Sequence, residues 1–151
     1  MLPGHPLSFQ IVSIVANYIF PVKDYSDKNS ASLSVLEFGD LPWKPERIYW
    51  LQDFKHEVSR GNHAHKKLSQ VLIMVSGSLT LDLYQGKMHE RIFFTRNMGQ
   101  ILIQPGIWRV ITSASDDAIL LVAASHPFCE DDYIRDWDEY LKWCQRCSSD
   151  E

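Results

Sequence analysis

The chain is a succession of short segments with the composition of β-strands, and a helical pattern is found only near its end. The segments are rich in β-branched and aromatic residues, and several alternate apolar with polar positions, as strands with one buried face do. We predict strands at about residues 9–18, 32–38, 47–51, 70–75, 78–84, 89–95, 100–103, 108–112 and 118–124, and a polar loop at residues 23–30. Roughly nine short strands separated by turn residues predict an all-β sandwich or jelly-roll barrel.

The helical pattern covers residues 130–146. Apolar side chains recur there at spacings of three and four, which is the period of one helix face. They are Tyr133, Ile134, Trp137, Tyr140, Leu141 and Cys144. Three acidic residues stand at the start, where the positive end of a helix dipole favours them. We expect this helix to pack its aromatic face on the outside of the barrel or on a partner subunit.

Composition limits the classes of function. A chain of 151 residues, 45% hydrophobic, is of single-domain size, so we expect one domain over residues 1–151. The net charge of −4 argues against a nucleic-acid partner. The sequence contains no run of about 18 apolar residues, which is the length needed to span a membrane. Polar residues interrupt residues 9–20 and no basic leader precedes them, so a strand is favoured over a signal sequence and a cytoplasmic location is expected.

The three cysteines carry no predicted role. Cys144 and Cys147 form a Cys-x-x-Cys pair near the end of the sequence, and Cys129 stands apart from them. Two thiolates alone cannot complete a tetrahedral zinc site. The strand-to-helix context of a thioredoxin-like redox motif is also missing.

One stretch places two histidines where a strand is expected. It reads Arg-Gly-Asn-His-Ala-His-Lys-Lys over residues 60–67, and an apolar run of strand length follows at residues 71–75. Side chains two residues apart on a strand point to the same side. His63 and His65 are therefore predicted to face together into the floor of a pocket, although a pair of satisfied core histidines is the plainer alternative.

The spacing of these residues resembles the two motifs of the cupins. His63, His65, Gln70 and Gly77 follow the first motif, with six residues between Gln70 and Gly77. The second motif is matched by the three residues Gly99, Pro105 and Gly106. The resemblance implies a double-stranded β-helix, that is, a jelly-roll barrel, here with a C-terminal α-helix.

Two departures from the cupin motifs bear on metal binding. A metal-binding cupin needs three histidines and a carboxylate, whereas this chain has the neutral amide of Gln70 and the cation of Arg109 at two of those positions. A guanidinium cannot ligate a metal and repels one at close range. We therefore expect no metal, and a site for an anion or a polar organic molecule.

Four stretches resemble the sugar nucleotide 3,4-ketoisomerases, the WxcM-like cupins. They are Arg-Ile-Tyr-Trp at 47–50, the histidine stretch at 60–67, Pro-Gly-Ile-Trp at 105–108 and Asp-Asp-Tyr-Ile-Arg-Asp-Trp-Asp-Glu-Tyr-Leu at 131–141. The resemblance implies a homodimer that moves the keto group of dTDP-4-keto-6-deoxyglucose from C4 to C3 without metal or cofactor. The product of such enzymes serves the biosynthesis of unusual deoxy and amino sugars, including those of O-antigens and lipopolysaccharide.

This reaction needs few catalytic groups. A base removes the C3 proton, an enediolate forms, and a proton is returned at C4; a neutral imidazole suits both transfers. The developing oxyanion needs a donor such as a tyrosine hydroxyl or an arginine. By resemblance, His63 is the base, Tyr49 is the hydroxyl partner, and His65 orients the sugar. For Tyr49, simple packing in the barrel is the alternative.

Four further residues are predicted to bind substrate. Arg60 has the geometry to contact the diphosphate through two hydrogen bonds, although a solvated surface charge is its alternative. Arg109 faces the same site. Lys66 contacts the ligand or is solvated, and Trp108 is a core residue or a surface on which sugar or thymine stacks. The neighbouring Lys67 is not counted among the four, since it is expected to be solvated.

Two details of the resemblance leave alternatives open. Many relatives carry Asp-x-Arg-Gly before the second strand, and residues 28–31 here read Lys-Asn-Ser-Ala, so that arginine is absent. Arg109 resembles the members that give a gluco-configured product. The competing function is a non-catalytic cupin that binds a sugar nucleotide or carbohydrate, and a metal-dependent oxygenase or an epimerase relative is a third.

Overall fold

The computed structural model describes residues 13–14, 19–20, 22–56 and 59–149. Its strands are β1 (Ile19–Phe20), β2 (Lys23–Ser26), β3 (Ser32–Val35), β4 (Arg47–Leu51), β5 (Arg60–His65), β6 (Gln70–Ser76), β7 (Ser78–Gln85), β8 (Met88–Thr95), β9 (Gln100–Ile103), β10 (Trp108–Ala114), β11 (Ile119–Ala124) and β12 (Tyr133–Ile134). One α-helix, α1 (Trp137–Ser149), follows them.

Two five-stranded antiparallel sheets pack face to face. The first has the order β1-β9-β6-β11-β4 and the second the order β12-β5-β10-β7-β8, while β2 and β3 form a separate hairpin. Apolar side chains from both sheets form the main core between them, among them Leu72, Phe94 and Val122. The prediction of an all-β jelly roll with a C-terminal helix is confirmed. The strand predicted at residues 9–18 lies outside the described residues apart from Ser13 and Ile14.

Strand alternation and register decide which side chains reach the space between the sheets. Val122 of β11 is paired with Tyr49 of β4 on one side and with Leu72 of β6 on the other, so these three side chains share the inner face. The outer face of the same sheet carries Val71, Leu102 and Ala123, against which residues 36–43 pack. This register turns Tyr49 toward the interior.

The polar loop predicted at residues 23–30 is wrong in its first half. Lys23–Ser26 is strand β2, paired along its length with β3. All four residues of β2 are exposed, so no buried face imposes an alternation of apolar and polar residues. A strand held only by its hydrogen-bond ladder leaves no periodic signal in the sequence.

The predicted helix at residues 130–146 begins seven residues too early. Glu130–Asp132 is a 3-10 turn and Tyr133–Ile134 is strand β12, which pairs with β5. The Asp132 carboxylate accepts hydrogen bonds from the backbone N–H groups of Lys67 and Leu68, which holds the chain extended across β5. Asp136 then caps the helix by accepting from the N–H of Glu139 at 2.9 Å.

Helix α1 packs on the outer face of the second sheet. Its apolar side contacts Ala64 of β5 and Trp108 of β10, with Ile134 beside them. The Tyr140 ring is fully buried, and its hydroxyl accepts from the N–H of Gly86 while lying 2.9 Å from the carbonyl oxygens of both Tyr84 and Gly106. Within the described part of the chain, no helix is long and apolar enough to span a membrane.

We expect Tyr140→Phe to lower the free energy of unfolding by about 1–3 kcal/mol, because it leaves buried backbone groups without their hydrogen-bond partner. Urea denaturation followed by circular dichroism measures this value. Tyr25→Phe is the matched control, since Tyr25 lies on the exposed hairpin with 60% of its surface open to solvent. Equal stability of the two variants would contradict the anchoring role of the Tyr140 hydroxyl.

Candidate active site

A cavity of about 260 Å³ lies between the two sheets and contains the groups suited to acid–base chemistry. Four of the predicted site residues line it, namely Tyr49, Arg60, His63 and Arg109. Its remaining wall is mostly aliphatic, with side chains such as Leu72, Leu81, Ile111 and Val122. The structure thus brings four of the predicted site residues, a histidine, a tyrosine and two arginines, into one cavity.

A β-bulge sets the direction of His63. Arg109 of β10 pairs with His63, but the next residue, Val110, pairs with Gly61, so Asn62 is left without a partner in the ladder. Gly61 and Asn62 both have positive φ, at 89° and 52°. A Cβ at Gly61 would meet the Arg109 carbonyl oxygen at 2.7 Å, and only glycine allows this approach.

His63 is a neutral imidazole with one free nitrogen. Its Nδ1 donates to the carbonyl oxygen of Gly61 at 3.0 Å, which leaves the lone pair on Nε2. Nε2 is buried and has no hydrogen-bond partner among the described residues. Burial lowers the pKa of His63 to about 4, and the charge of Arg109 acts in the same direction. The group is therefore present as a base throughout the neutral pH range.

Arg109 is a buried cation that forms no ion pair with any of the described residues. Its side chain is 5% exposed, and none of its three guanidinium nitrogens has a hydrogen-bond partner within the described residues. Burial lowers the pKa of Arg109 to about 10, so it keeps its charge at neutral pH. A buried charge left without a partner typically costs about 3–5 kcal/mol, which is a strong driving force to bind an anion or a polarised oxygen.

Tyr49 presents its hydroxyl proton to the cavity. The hydroxyl oxygen accepts a hydrogen bond from Nε2 of Gln70 at 2.6 Å, so its own proton is available to another acceptor. Burial raises the pKa of Tyr49, with the nearby Tyr133 adding to the rise. A tyrosine that keeps its proton acts as a hydrogen-bond donor or general acid rather than as a base.

The structure does not bring the other three predicted site residues into the cavity lining. His65 is fully buried, and its Nδ1 donates to the Asp132 carboxylate at 3.0 Å. Its ring lies 4.9 Å from that of His63, as expected for side chains on one strand face. Trp108 packs under α1, and Lys66 donates to the carbonyl oxygen of Asp131 outside the cavity.

Three residues in the lining carry no role in the sequence-based predictions. Arg47 lies two residues before Tyr49 on β4, and strand alternation is the signal that places it on the same face. Tyr133 and Arg135 also line the cavity. They are likewise two residues apart, Tyr133 in β12 and Arg135 directly after it, but the helix predicted at residues 130–146 did not place them on one face. The Tyr133 ring contacts those of both His63 and His65.

A second cavity, of about 360 Å³, lies between the β2–β3 hairpin and the outer face of the first sheet. Its lining contains no histidine, tyrosine or carboxylate, so it offers no group for proton transfer near neutral pH. Nor do the described residues contain a group of three or more His, Cys, Asp or Glu side chains arranged to hold a metal ion. The cavity between the sheets remains the candidate active site.

We expect the free energy of unfolding to fall as the pH drops from about 6.5 toward 3. Burial, with the charge of Arg109, lowers the pKa of His65 to about 3 despite the opposing Asp132. The folded protein keeps this ring neutral, whereas the unfolded chain takes up the proton below pH 6.5.

His65→Asn keeps a donor toward Asp132 but removes the titrating group. Urea denaturation measures how far the free energy of unfolding falls between pH 6.5 and pH 4. We expect this fall to be smaller in His65→Asn than in the wild type by about 3 kcal/mol. His126→Asn, at an exposed histidine, is the control and retains the wild-type slope. A His65→Asn slope equal to the wild type would show that His65 is charged in the folded state.

Comparisons with known proteins identify the family of this chain. Residues 16–145 match the family model described as FdtA: WxcM-like, C-terminal. A TDP-4-oxo-6-deoxy-α-D-glucose-3,4-oxoisomerase from Aneurinibacillus thermoaerophilus is 32% identical over 127 residues, which are 84% of this chain and 91% of the relative.

Two solved structures are similar over most of their length. A sugar 3,4-ketoisomerase from Thermoanaerobacterium thermosaccharolyticum, in complex with TDP, gives a TM-score of 0.81 at 32% identity and covers 85% of this chain and 94% of its own. A TDP-quinovose 3,4-ketoisomerase from Campylobacter jejuni gives 0.76 at 38% identity, covering 82% and 95%. The family predicted from the sequence is confirmed, and the chain belongs to the FdtA family of WxcM-like C-terminal domains.

Proposed function

We propose that this protein is a sugar nucleotide 3,4-ketoisomerase that converts dTDP-4-keto-6-deoxyglucose to the 3-keto-6-deoxyhexose. The observation that carries the proposal is the set of free groups facing one cavity. His63 Nε2 and the three guanidinium nitrogens of Arg109 are buried without partners among the described residues. A free base beside an unpaired cation is the arrangement that proton abstraction next to a carbonyl needs.

His63 carries the proton in the proposed mechanism. Its Nε2 removes the proton at C3, and the electrons of that bond form the C3–C4 double bond while the C4 carbonyl becomes an oxyanion. The hydrogen of the C3 hydroxyl passes to the C4 oxygen, which becomes a hydroxyl, and leaves the negative charge on the C3 oxygen. His63 then returns its proton to C4, the electrons of the double bond form the new C4–H bond, and the C3 oxygen becomes the carbonyl. Atoms and electrons balance within the sugar, so the conversion takes no oxidant or reductant.

Arg109 and Tyr49 stabilise the oxyanion. The Arg109 guanidinium is a buried, preorganised cation, and burial makes its interaction with a developing negative charge far stronger than in water. The free proton of the Tyr49 hydroxyl donates to the same oxygen or to its neighbour. His65 supports the site through its contact with the His63 ring, and Asp132 holds His65 in one tautomer.

Cationic side chains at the cavity suit a diphosphate. Arg47, Arg60 and Arg135 join Arg109 in its lining. Arg135 is paired with Glu130, whereas Arg47 and Arg60 form no ion pair with a carboxylate of the described residues. Guanidinium groups bind phosphate oxygens through two parallel hydrogen bonds, so we assign Arg60 and Arg47 to the diphosphate.

We propose that the reaction is independent of metal. The chemistry of the donor set supports this, because Gln70 is engaged with the Tyr49 hydroxyl and Arg109 places a fixed positive charge beside His63. Both would oppose a divalent cation at the two histidines. We also propose a gluco-configured product, on the presence of Arg109 and on the likeness to the TDP-quinovose enzyme.

The assembly and location of the protein stay predictions. A homodimer is supported by β4, which is an edge strand among the described residues and where Ile48 and Trp50 leave 47% and 61% of their surface exposed. Such an edge favours a partner chain. A cytoplasmic location remains an expectation from the composition of residues 9–20, and a place in O-antigen or lipopolysaccharide sugar biosynthesis remains an expectation from the family resemblance.

We expect the chelator-treated protein to isomerise dTDP-4-keto-6-deoxyglucose in deuterium oxide. Proton NMR should show a 3-keto product with deuterium at C4, and a large coupling between H4 and H5 if the product is gluco-configured. His63→Asn should reduce turnover by about 10²–10⁴-fold, because it removes the group that moves the proton. His126→Asn is the control at an exposed histidine.

The competing function is a non-catalytic cupin that binds a sugar nucleotide. It predicts wild-type protein that binds the substrate with no deuterium incorporation, and a His63→Ala variant that still binds. An unchanged spectrum despite measured binding would therefore exclude the isomerase proposal for this substrate. Loss of turnover on chelation, restored by a divalent metal, would instead favour a metal-dependent cupin.

We expect Arg109→His to change the stereochemistry of the product. A histidine at this position can deliver a proton to C4 from another face of the sugar, whereas arginine is too weak an acid to do so. The ratio of gluco to galacto product, read from the coupling between H4 and H5, measures the effect. An unchanged ratio in an active Arg109→His variant would show that Arg109 does not set the configuration.

A further inference from the structure

The cavity is too small for a whole sugar nucleotide. Its volume of about 260 Å³ lies below the roughly 300–1,000 Å³ of sites that enclose drug-sized ligands. A hexose ring fits such a space, but the nucleoside diphosphate attached to it must lie outside the mouth. The inference that follows rests on the proposed function, because it concerns the part of the substrate that the cavity cannot hold.

The mouth of the cavity is identified by the exposure of its lining. Arg60, Gly61 and Arg135 are exposed and Arg47 is half-exposed, whereas Arg109 and the aliphatic wall are buried. The opening is therefore ringed by arginines. A diphosphate leaving the cavity passes between them, and the nucleoside must lie on the surface just beyond.

Phe128 lies on that surface. It leaves 57% of its area exposed and is not part of the cavity lining. The Cζ atom of Arg47 is 4.6 Å from the ring centre of Tyr49 and 5.5 Å from that of Phe128, so one guanidinium connects the two rings. The Phe128 ring also contacts the ring of Tyr133, at 5.7 Å between centres.

We propose that Phe128, with Arg47 beside it, is a stacking subsite for the pyrimidine base of the nucleoside diphosphate. Tyr49 in the cavity, Arg47 at the mouth and Phe128 outside follow the order sugar, diphosphate and base along the substrate. A flat base covers the exposed phenylalanine face, and its π-system interacts with the ring irrespective of its hydrogen-bonding edge. The subsite therefore supplies affinity and does not by itself distinguish thymine from uracil.

The test compares a ligand that has a base with one that lacks it. Isothermal titration of Phe128→Ala should show dTDP and UDP each bound about tenfold more weakly than by the wild type, the loss expected for one stacked base. Inorganic pyrophosphate, which contacts only the arginines, should bind to Phe128→Ala with an affinity within twofold of that for the wild type. Phe128→Trp should restore the affinity for dTDP. Stacking should also move the thymine methyl proton resonance upfield in the wild type and in Phe128→Trp, but not in Phe128→Ala.

Phe93→Ala is the matched control, because Phe93 of β8 is also exposed, at 65%, and lies outside the cavity lining. It should bind dTDP as the wild type does. The proposal is overturned if Phe128→Ala binds dTDP like the wild type, if its affinity for pyrophosphate falls equally, or if the wild type binds no dTDP. Binding in the expected pattern without deuterium exchange would uphold the subsite and reject the isomerase proposal. Turnover by the wild type, with an unchanged affinity for dTDP in Phe128→Ala, would uphold the isomerase proposal and reject the subsite.

Discussion

The uncompensated charge of Arg109 is the constraint on which the site depends. A guanidinium that is 5% exposed and has no hydrogen-bond partner in the described structure is costly to keep. The charge helps to hold His63 neutral, and it confronts a cavity that is otherwise mostly aliphatic. The unpaired guanidinium of Arg109 lowers the stability of the protein without ligand, and a ligand oxygen that binds to it recovers that stability.

The segment around Asp132 is the second element of the site. Its carboxylate accepts from the imidazole of His65 and from the backbone N–H groups of Lys67 and Leu68. These bonds attach the end of β5 to β12, and β12 in turn carries Tyr133 to the cavity beside His63. The Asp132 carboxylate thus fixes both the tautomer of the buried His65 and the position of Tyr133 beside His63.

The sequence predicted strands from alternation and from short apolar runs. The bounds of β4, whose burial alternates, and of β9, which is buried throughout, agree with those predicted, and the paired motifs around His63 and Arg109 predicted the jelly-roll fold. Residues held by contacts distant in sequence were not predictable in this way. Tertiary hydrogen bonds from Asp132 override the helical spacing of residues 130–134, and β2 has no buried face to give a pattern. Trp108 lies where its core alternative placed it, because α1 covers that part of the second sheet.

The docking of α1 has a consequence for the order in which parts of the protein unfold. The surface that the helix covers is built from Ala64 and Trp108, on strands that come together only when the second sheet is complete. The hydroxyl of Tyr140 reaches across to the turn at Gly86 and to the loop at Gly106. Helix and cavity wall are joined through residues 133–136, so release of the helix removes support from Tyr133 while the core between the sheets stays packed. Sub-global opening of this kind would extinguish turnover before the barrel itself melts, and thermal inactivation would precede thermal unfolding.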